Sequence, residues 1–453
     1  MDIPTIPPPN LNAAHPEIDI SGLSKSLVDG FDTLWRKALR SPSGPIDVID
    51  MFSGCGGMSA GFLAINGIFP TYRLALAVDI DDDANRTYEQ NLGIRPLNLD
   101  LAGLARKKSM ILDLVASARS GRENPLVMIG CAPCQGFSSH RNAEGKLDKR
   151  NSLFVSFAQI AAISKPDIVV IENVPELLTD RYWPLVKEAR RILKRGGYQT
   201  LLRVHDMAEF GVPQNRYRAV MIGMKKTFKM PKGFLSREKY KTVREAIGHL
   251  PSIRAGEVKR DDPMHFTANH RASTIETIMA VPTNGGNRPH DAGPECLRRA
   301  KDKQGRAAYE DVYGRLWWDK PAITITAYAR NPASGRFVHP EQHRGLSVRE
   351  AALLQGFPRD YCFEGGFDSR FRQVGNAVPP VFATYLAGHL LSELSREDVV
   401  TDERGIEAPV GPSFSRLIPA LKAGHRRLDE NGQRQKCTPE TRSVSSEKVD
   451  VAA

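Results

Sequence analysis

The sequence predicts a doubly wound α/β protein with a mostly parallel sheet and a small, irregular second domain. Six short β-rich runs predict the sheet: IDVIDMF, YRLALAVDI, PLVMIG, DIVVIE, YQTLLRV and RAVMIG alternate with helical stretches between Ile46 and Gly223. The runs are largely apolar and bounded by turns, as strands covered on both faces must be. After Gly223 the alternation stops. Residues 225 to 345 are rich in Arg, Lys, Gly, Pro and Asn with weak periodicity, which predicts the second domain.

Taken in order, residues 1 to 44 contain PTIPPP and SPSGP and read as an extended N-terminal extension. It has at most one short helix, around Leu27 to Leu39. Residues 45 to 224 hold the alternating core, and 225 to 345 the second domain. Residues 346 to 396 include the helical patterns SVREAALLQGF (347–357) and VPPVFATYLAGHLLSEL (378–394), which can pack back on the first domain. From 397 to 453 the chain is polar and mixed in charge, and a flexible tail is expected.

At 453 residues the chain can bury a large core, and a prior of about one domain per ~150 residues suits two folded units plus tails. Apolar and charged fractions of 41% and 25% exclude fibrous and fully disordered classes. No run of eighteen apolar residues and no basic-then-apolar start occurs, so a soluble, cytoplasmic protein without a membrane role is expected. Six scattered cysteines do not make a disulfide framework in so long a chain. The net charge of +11 favours a polyanionic partner. Between Lys225 and Tyr313, 18 Lys+Arg stand against 11 Asp+Glu, so one segment carries much of the basic character.

The first strand leads into DVIDMFSGCGGMSAGF, with Gly54, Gly56 and Gly57 ahead of a helix. Glycines there let backbone approach a ligand, and the helix amino terminus offers free N–H groups. The second strand ends in Asp79, where a carboxylate can take both hydroxyls of a ribose. Together they suggest a nucleoside cofactor. Ser59 stands where the strict dinucleotide fingerprint has its third glycine, and a nicotinamide dehydrogenase remains open at this point. Asp100, in LNLDLAGL, could accept from an adenine amino group or cap a surface helix.

PLVMIGCAPCQGFSS places Cys134 just after an apolar strand, at the carboxyl edge where such sheets bind ligands. Cys131 and Cys134 also form a Cys-x-x-Cys, so a redox pair or half a zinc site competes. The other cysteines supply no second pair for zinc, and Pro133 and Gly136 argue for a loop rather than the helix a redox motif starts. KPDIVVIENVPELL delivers Glu172 and Asn173 at the end of another strand, so a thiol and a carboxyl can share one pocket. In DMAEFGVPQNRYRAVMIG, Gln214, Arg216 and Arg218 occupy alternate positions of an expected strand and would face one way. Arg216 could then orient the carboxyl group or hold a phosphate.

At these residues the sequence resembles the DNA cytosine-5 methyltransferase family. FSGCGG, GCAPCQGFS, ENVPEL, QNRYR, HPEQHRGLSVREAALLQGFP and RQVGNAVPP appear in the family's order across roughly residues 46 to 392. The resemblance implies an S-adenosyl-L-methionine-dependent methyltransferase fold, with the second domain recognising the target. It implies that Phe52, Gly54, Gly56 and Gly57 hold the adenosyl and methionine parts of S-adenosylmethionine, with Asp79 on the ribose and Asp100 on the adenine. Asn376 would close that site, and Pro133 and Cys134 form the Pro-Cys pair. Glu172 is implied as the acid and Arg216 as its catalytic companion. Two departures are visible: the family usually has Glu at Asp79 and a second Pro at Ala132.

The implied reaction is methylation at carbon 5 of a flipped-out cytosine in a specific duplex DNA sequence, through a covalent Cys134 adduct. Gln135 and Ser138 in the loop after Cys134, Arg218, and Arg288 in the stretch NGGNR are the candidate DNA contacts. A bacterial restriction-modification or orphan methylase is expected, monomeric, with a restriction endonuclease as candidate companion and working at the nucleoid. A transfer-RNA enzyme of the same family is the alternative.

Overall fold

The computed structural model describes residues 21–133, 152–301, 305, 308–396 and 403–414. Each predicted run forms a strand: β1 (Ile46–Met51), β2 (Tyr72–Val78), β3 (Leu126–Gly130), β4 (Ile168–Asn173), β5 (Gln199–Asp206) and β6 (Tyr217–Met224). They make one sheet in the order β2-β1-β3-β4-β6-β5. β1 to β4 pair in parallel, while β6 runs antiparallel to both β4 and β5.

Alternate side chains of a strand point to opposite faces, and the core divides accordingly. Val48, Val127 and Val170 belong to one buried cluster and Ile49, Met128 and Val169 to the other. β1, β3 and β4 are buried along their whole length, which is why their sequences show apolar runs rather than alternation. The first cluster lies under α1 (Ser21–Ala38), α2 (Gly57–Ala64) and part of α3 (Asp82–Leu92). The second lies under α4 (Leu101–Leu104), α5 (Lys108–Ala118), α6 (Leu153–Ser164) and α7 (Trp183–Arg195).

Three expectations need correction. The helix expected at Leu27 to Leu39 is α1, which begins at Ser21, kinks at Gly30 and buries Leu23, Leu27, Phe31, Leu34 and Trp35 in the main core. The N-terminal extension is thus partly a piece of the domain. The same holds beyond residue 396, where residues 403–414 pack on the sheet edge: Ile406 N–H donates to the Leu202 carbonyl at 2.8 Å. Third, the segment after 224 has no wholly separate core. Phe228, Val243, Met264, Trp318 and Phe337 join the main cluster, and only Ile278, Val281, Tyr313 and Val338 form a small cluster of their own.

The second segment contains only short helices, α8 (Val243–Ile247), α9 (Ala272–Met279) and α10 (Glu295–Arg298). Irregular backbone leaves carbonyls without ladder partners, and buried guanidinium groups supply them. Arg315 donates to the carbonyls of Ile278, Val281, His339 and Gln342. The chain then returns through α11 (Val348–Leu354), α12 (Phe367–Asn376) and α13 (Pro380–Ser395). Ser347 and Glu350 start α11 with a reciprocal capping box, and α13 packs tightly on α2.

Candidate active site

The carboxyl ends of β1 to β4 open on one edge of the sheet, and antiparallel pairing brings the start of β6 to that edge. A cavity of about 500 Å³ lies there, where the strand order reverses between β1 and β3. Phe52, Gly54, Gly57, Asp79, Pro133, Glu172, Arg216, Arg218 and Asn376 all line it. Gly56, Asp100 and Arg288 are not among its lining residues. Cys134, Gln135 and Ser138 lie outside the described residues.

The glycine turn follows the expected logic. Gly56 caps α2 with φ 88°, and a Cβ on Gly57 would lie 2.3 Å from the Val378 carbonyl oxygen, so the C-terminal segment can close on the turn only over glycine. Asp79 accepts from the Gly54 N–H at 2.8 Å and the Asp81 N–H at 2.9 Å, one on each oxygen. It therefore ties the glycine turn to the end of β2. Burial pushes its carboxyl up, against the pull of these donors.

Glu172 is 6% exposed, and the Arg218 Nε lies 2.9 Å from its Oε1. Burial raises its carboxyl above the usual range, and the charges of Arg218 and Arg216 oppose that rise without cancelling it. The neighbouring Asn173 donates from Nδ2 to the Ala132 carbonyl at 3.1 Å and accepts from the Val174 N–H at 2.9 Å. One side chain thus couples the Glu172 strand end to the turn that leads through Pro133 to Cys134.

The strand begins only at Tyr217, so Gln214 and Arg216 precede it; Arg216 and Arg218 both line the cavity, and Gln214 is not among its lining residues. Arg216 is 1% exposed and donates to the carbonyls of Ile325, Gly375 and Ala377 at 3.0 to 3.1 Å. Its guanidinium staples the returning chain, whereas Arg218, expected on DNA, forms the ion pair with Glu172. Gln214 is buried against Leu354, Gln355 and Ile325. Arg288, expected at a base edge, is 3% exposed and donates to the carbonyls of Pro289 and Ala292, so its head group is committed to its own loop. Asp100 is exposed and caps α4, accepting from Ala102 N–H and Gly103 N–H.

Residues 46–392 match the family model described as C-5 cytosine-specific DNA methylase. The chain belongs to this family. Its enzyme class is DNA (cytosine-5-)-methyltransferase. The methylase is 32% identical over 346 residues to the type II methylase M.HgiDII of Herpetosiphon aurantiacus, covering 75% of this chain and 93% of that one. It is 35% identical over 360 residues to the type II methyltransferase M1.HphI of Haemophilus parahaemolyticus, covering 77% and 87%. A solved E. coli prophage protein described as a DNA modification methyltransferase shares the fold, with TM-score 0.58 at 24% identity over 78% of this chain and all of that one.

Several cavity residues of the methylase escaped the sequence reading. Asp50 is buried at the end of β1. Its Oδ2 accepts from Ser59 Oγ at 2.6 Å, which in turn accepts from Tyr88 OH at 2.8 Å. Asp50 Oδ1, Ser53 Oγ and Gln373 Oε1 are buried without a hydrogen-bond partner among the described residues, and all three residues line the cavity. Burial first, with Asp79 adding to it, pushes the Asp50 carboxyl up to about 7. Ile80 lines the mouth and is 67% exposed. A carboxylate at the cavity end of a fully buried strand, three residues after Asp47, was the signal available for Asp50. Among the described residues there is no cluster fit to hold a metal ion and no helix long and apolar enough to cross a membrane.

Proposed function

We propose that this methylase transfers the methyl group of S-adenosylmethionine to carbon 5 of a flipped-out cytosine in a specific duplex DNA sequence, through a covalent Cys134 adduct. The observation that carries the reading is the Asn173 bridge, which couples the turn entering Cys134 to the strand end bearing a buried Glu172, whose carboxyl burial raises above the ordinary range.

Carbon 5 of cytosine is a poor nucleophile until electron density enters the ring. The Cys134 thiolate adds to carbon 6 while Glu172 gives its proton to ring nitrogen 3, so the adduct forms without accumulating charge. Carbon 5 then attacks the methyl carbon, the carbon 5 proton leaves to a base, and the carbon 6–sulfur bond breaks to release Cys134 and restore Glu172. Arg218 holds the Glu172 carboxyl in plane, and Arg216 keeps the returning chain closed over the cavity.

The cavity suits the cofactor, which supplies an electrophilic methyl on a sulfonium. Its ammonium group needs acceptors, and Asp50 Oδ1, Ser53 Oγ and Gln373 Oε1 are buried oxygens on cavity-lining residues with no hydrogen-bond partner among the described residues. Phe52 and Ile80 offer apolar faces for adenine, and Asp79 has lone pairs left for the ribose. A base stacked in a duplex cannot reach this edge, so flipping at a cost of a few kcal/mol is required. Phosphate contacts from the basic second segment offset that cost. The type II names of the relatives support a restriction-modification role with a companion endonuclease, and a DNA substrate implies work at the cytoplasmic nucleoid.

Incubation with methyl-labelled cofactor and either duplex DNA or transfer RNA tests this reading. Labelled duplex, and a Cys134-dependent covalent complex with a 5-fluorocytosine duplex, are expected. Label in transfer RNA alone would refute it.

A further inference from the structure

Residues 403–414 lie beyond the stretch that matches the family model. They begin on β5, the edge strand, where Glu403 pairs with Arg203 and Glu407 with Arg190 of α7. The backbone comes so close that a Cβ on Gly405 would lie 2.7 Å from the Leu202 nitrogen. Farther on, the Val410 N–H donates to the Leu178 carbonyl at 2.9 Å, and the Asp180 N–H donates to the Gly411 carbonyl at 3.1 Å. Phe414, 3% exposed, ends the strap with its ring 6.2 Å from that of Tyr217.

Both ends of the Glu172–Arg218 pair are close to these contacts. Glu172 and Asn173 run directly into the turn at Pro175–Leu178 that the strap holds through Leu178. Tyr217 accepts on its carbonyl from Arg218 Nη1 at 2.7 Å. Its side chain hydrogen-bonds Asp206, which also accepts from the Arg216 N–H at 3.0 Å. Covering an unpaired strand edge would explain the contact at Leu202. It does not explain the contacts at Leu178, Asp180 and Tyr217, which lie at the catalytic end of the sheet.

We infer that residues 403–414 are a positioning strap that holds the Glu172 turn and the Tyr217–Arg218 segment in mutual register, with Phe414 as its principal positioning residue. Phe414 acts through Tyr217 and touches no reacting atom. The inference deepens the proposed methyl transfer and rests on it only for the rate measurement. The charged groups acting on Glu172 are Arg218 and Arg216, while Asp50 and Asp79 line the same cavity.

The test uses full-length protein carrying Phe414→Ala or Phe414→Tyr. Single-turnover methylation is followed against pH, cofactor affinity by calorimetry, and Glu172 titration by carboxyl infrared difference against Glu172→Gln. Misplacing a catalytic group by about 1 Å can cost up to roughly 100-fold, so Phe414→Ala should slow transfer at least about 10-fold. It should also shift the Glu172 titration and leave cofactor affinity within about twofold, with Phe414→Tyr restoring both readouts. Parent-like rate and titration in Phe414→Ala, or a rate loss that only tracks the unfolded fraction, would overturn the inference. A titration shift in a protein that does not methylate DNA would refute the proposed function and leave the strap standing.

Discussion

Arg218 Nε lies 2.9 Å from Glu172 Oε1, and yet burial keeps the Glu172 carboxyl above its ordinary range. A nearby cation normally favours the ionised form, so the site balances two opposed effects and desolvation prevails. The carboxyl is thereby held in an ion pair while burial favours its neutral form more than in water.

Glu172→Gln keeps the shape and removes the transferable proton. Methyl transfer should fall about 100- to 10,000-fold, the usual range for loss of a positioned acid. Cofactor affinity measured by calorimetry should stay within a few-fold, since the loss belongs to the chemical step.

Arg218→Met removes a charge that lowers the Glu172 carboxyl. The proton-donating form of an acid is lost as pH rises through its pKa, so a higher pKa moves the alkaline limb of the kcat profile to higher pH. The plateau should drop because orientation is lost. A profile whose alkaline limb stays in place or moves to lower pH would contradict the ion-pair assignment.

Asp50 has its carboxyl raised to about 7, with Oδ1 unpartnered. An acid held neutral by the fold contributes stability at low pH, which is lost as pH rises from the ordinary carboxylate range through 7. Binding an ammonium group requires the ionised form, so cofactor affinity should rise as pH passes 7, with a proton released below that value. In calorimetry, the heat should depend on the ionisation enthalpy of the buffer for the parent and not for Asp50→Asn.

Arg216→Met leaves the carbonyls of Ile325 and Gly375 without their buried donor, while the Ala377 carbonyl keeps Gln355 Nε2. Each unsatisfied buried group costs about 1 to 3 kcal/mol, so a loss of roughly 3 kcal/mol or more is expected in urea unfolding. Cofactor affinity should fall with it, because Gly375 and Ala377 line the cavity.

The six strands were legible from their β-rich, largely apolar runs, completely so only in β1, β3 and β4, which are buried along their whole length, and the glycine turn because φ near 88° at Gly56 selects against other residues. The place of Glu172 at a strand end could be read from the sequence, while Cys134 lies outside the described residues. Which of Arg216 and Arg218 pairs with Glu172 could not, since both line the cavity and only the packed chain sets their distances to the carboxyl. Arg288 was misread for a related reason: a basic residue in a glycine-rich stretch has the same sequence appearance whether it meets a phosphate or its own loop's carbonyls. Asp50 was passed over because its meaning depends on Ser59, Asp79 and the cavity beside it.

By itself the sequence determined the sheet, the family and the residue types that can carry the chemistry, because periodicity and ordered motifs are local properties of a chain. Only the tertiary structure decided which cation meets Glu172, which oxygens face the cavity without partners, and how residues 403–414 reach the catalytic edge. Those outcomes depend on contacts such as Arg216 with Gly375, separated by 159 positions, and no local pattern encodes the geometry of so distant a pair.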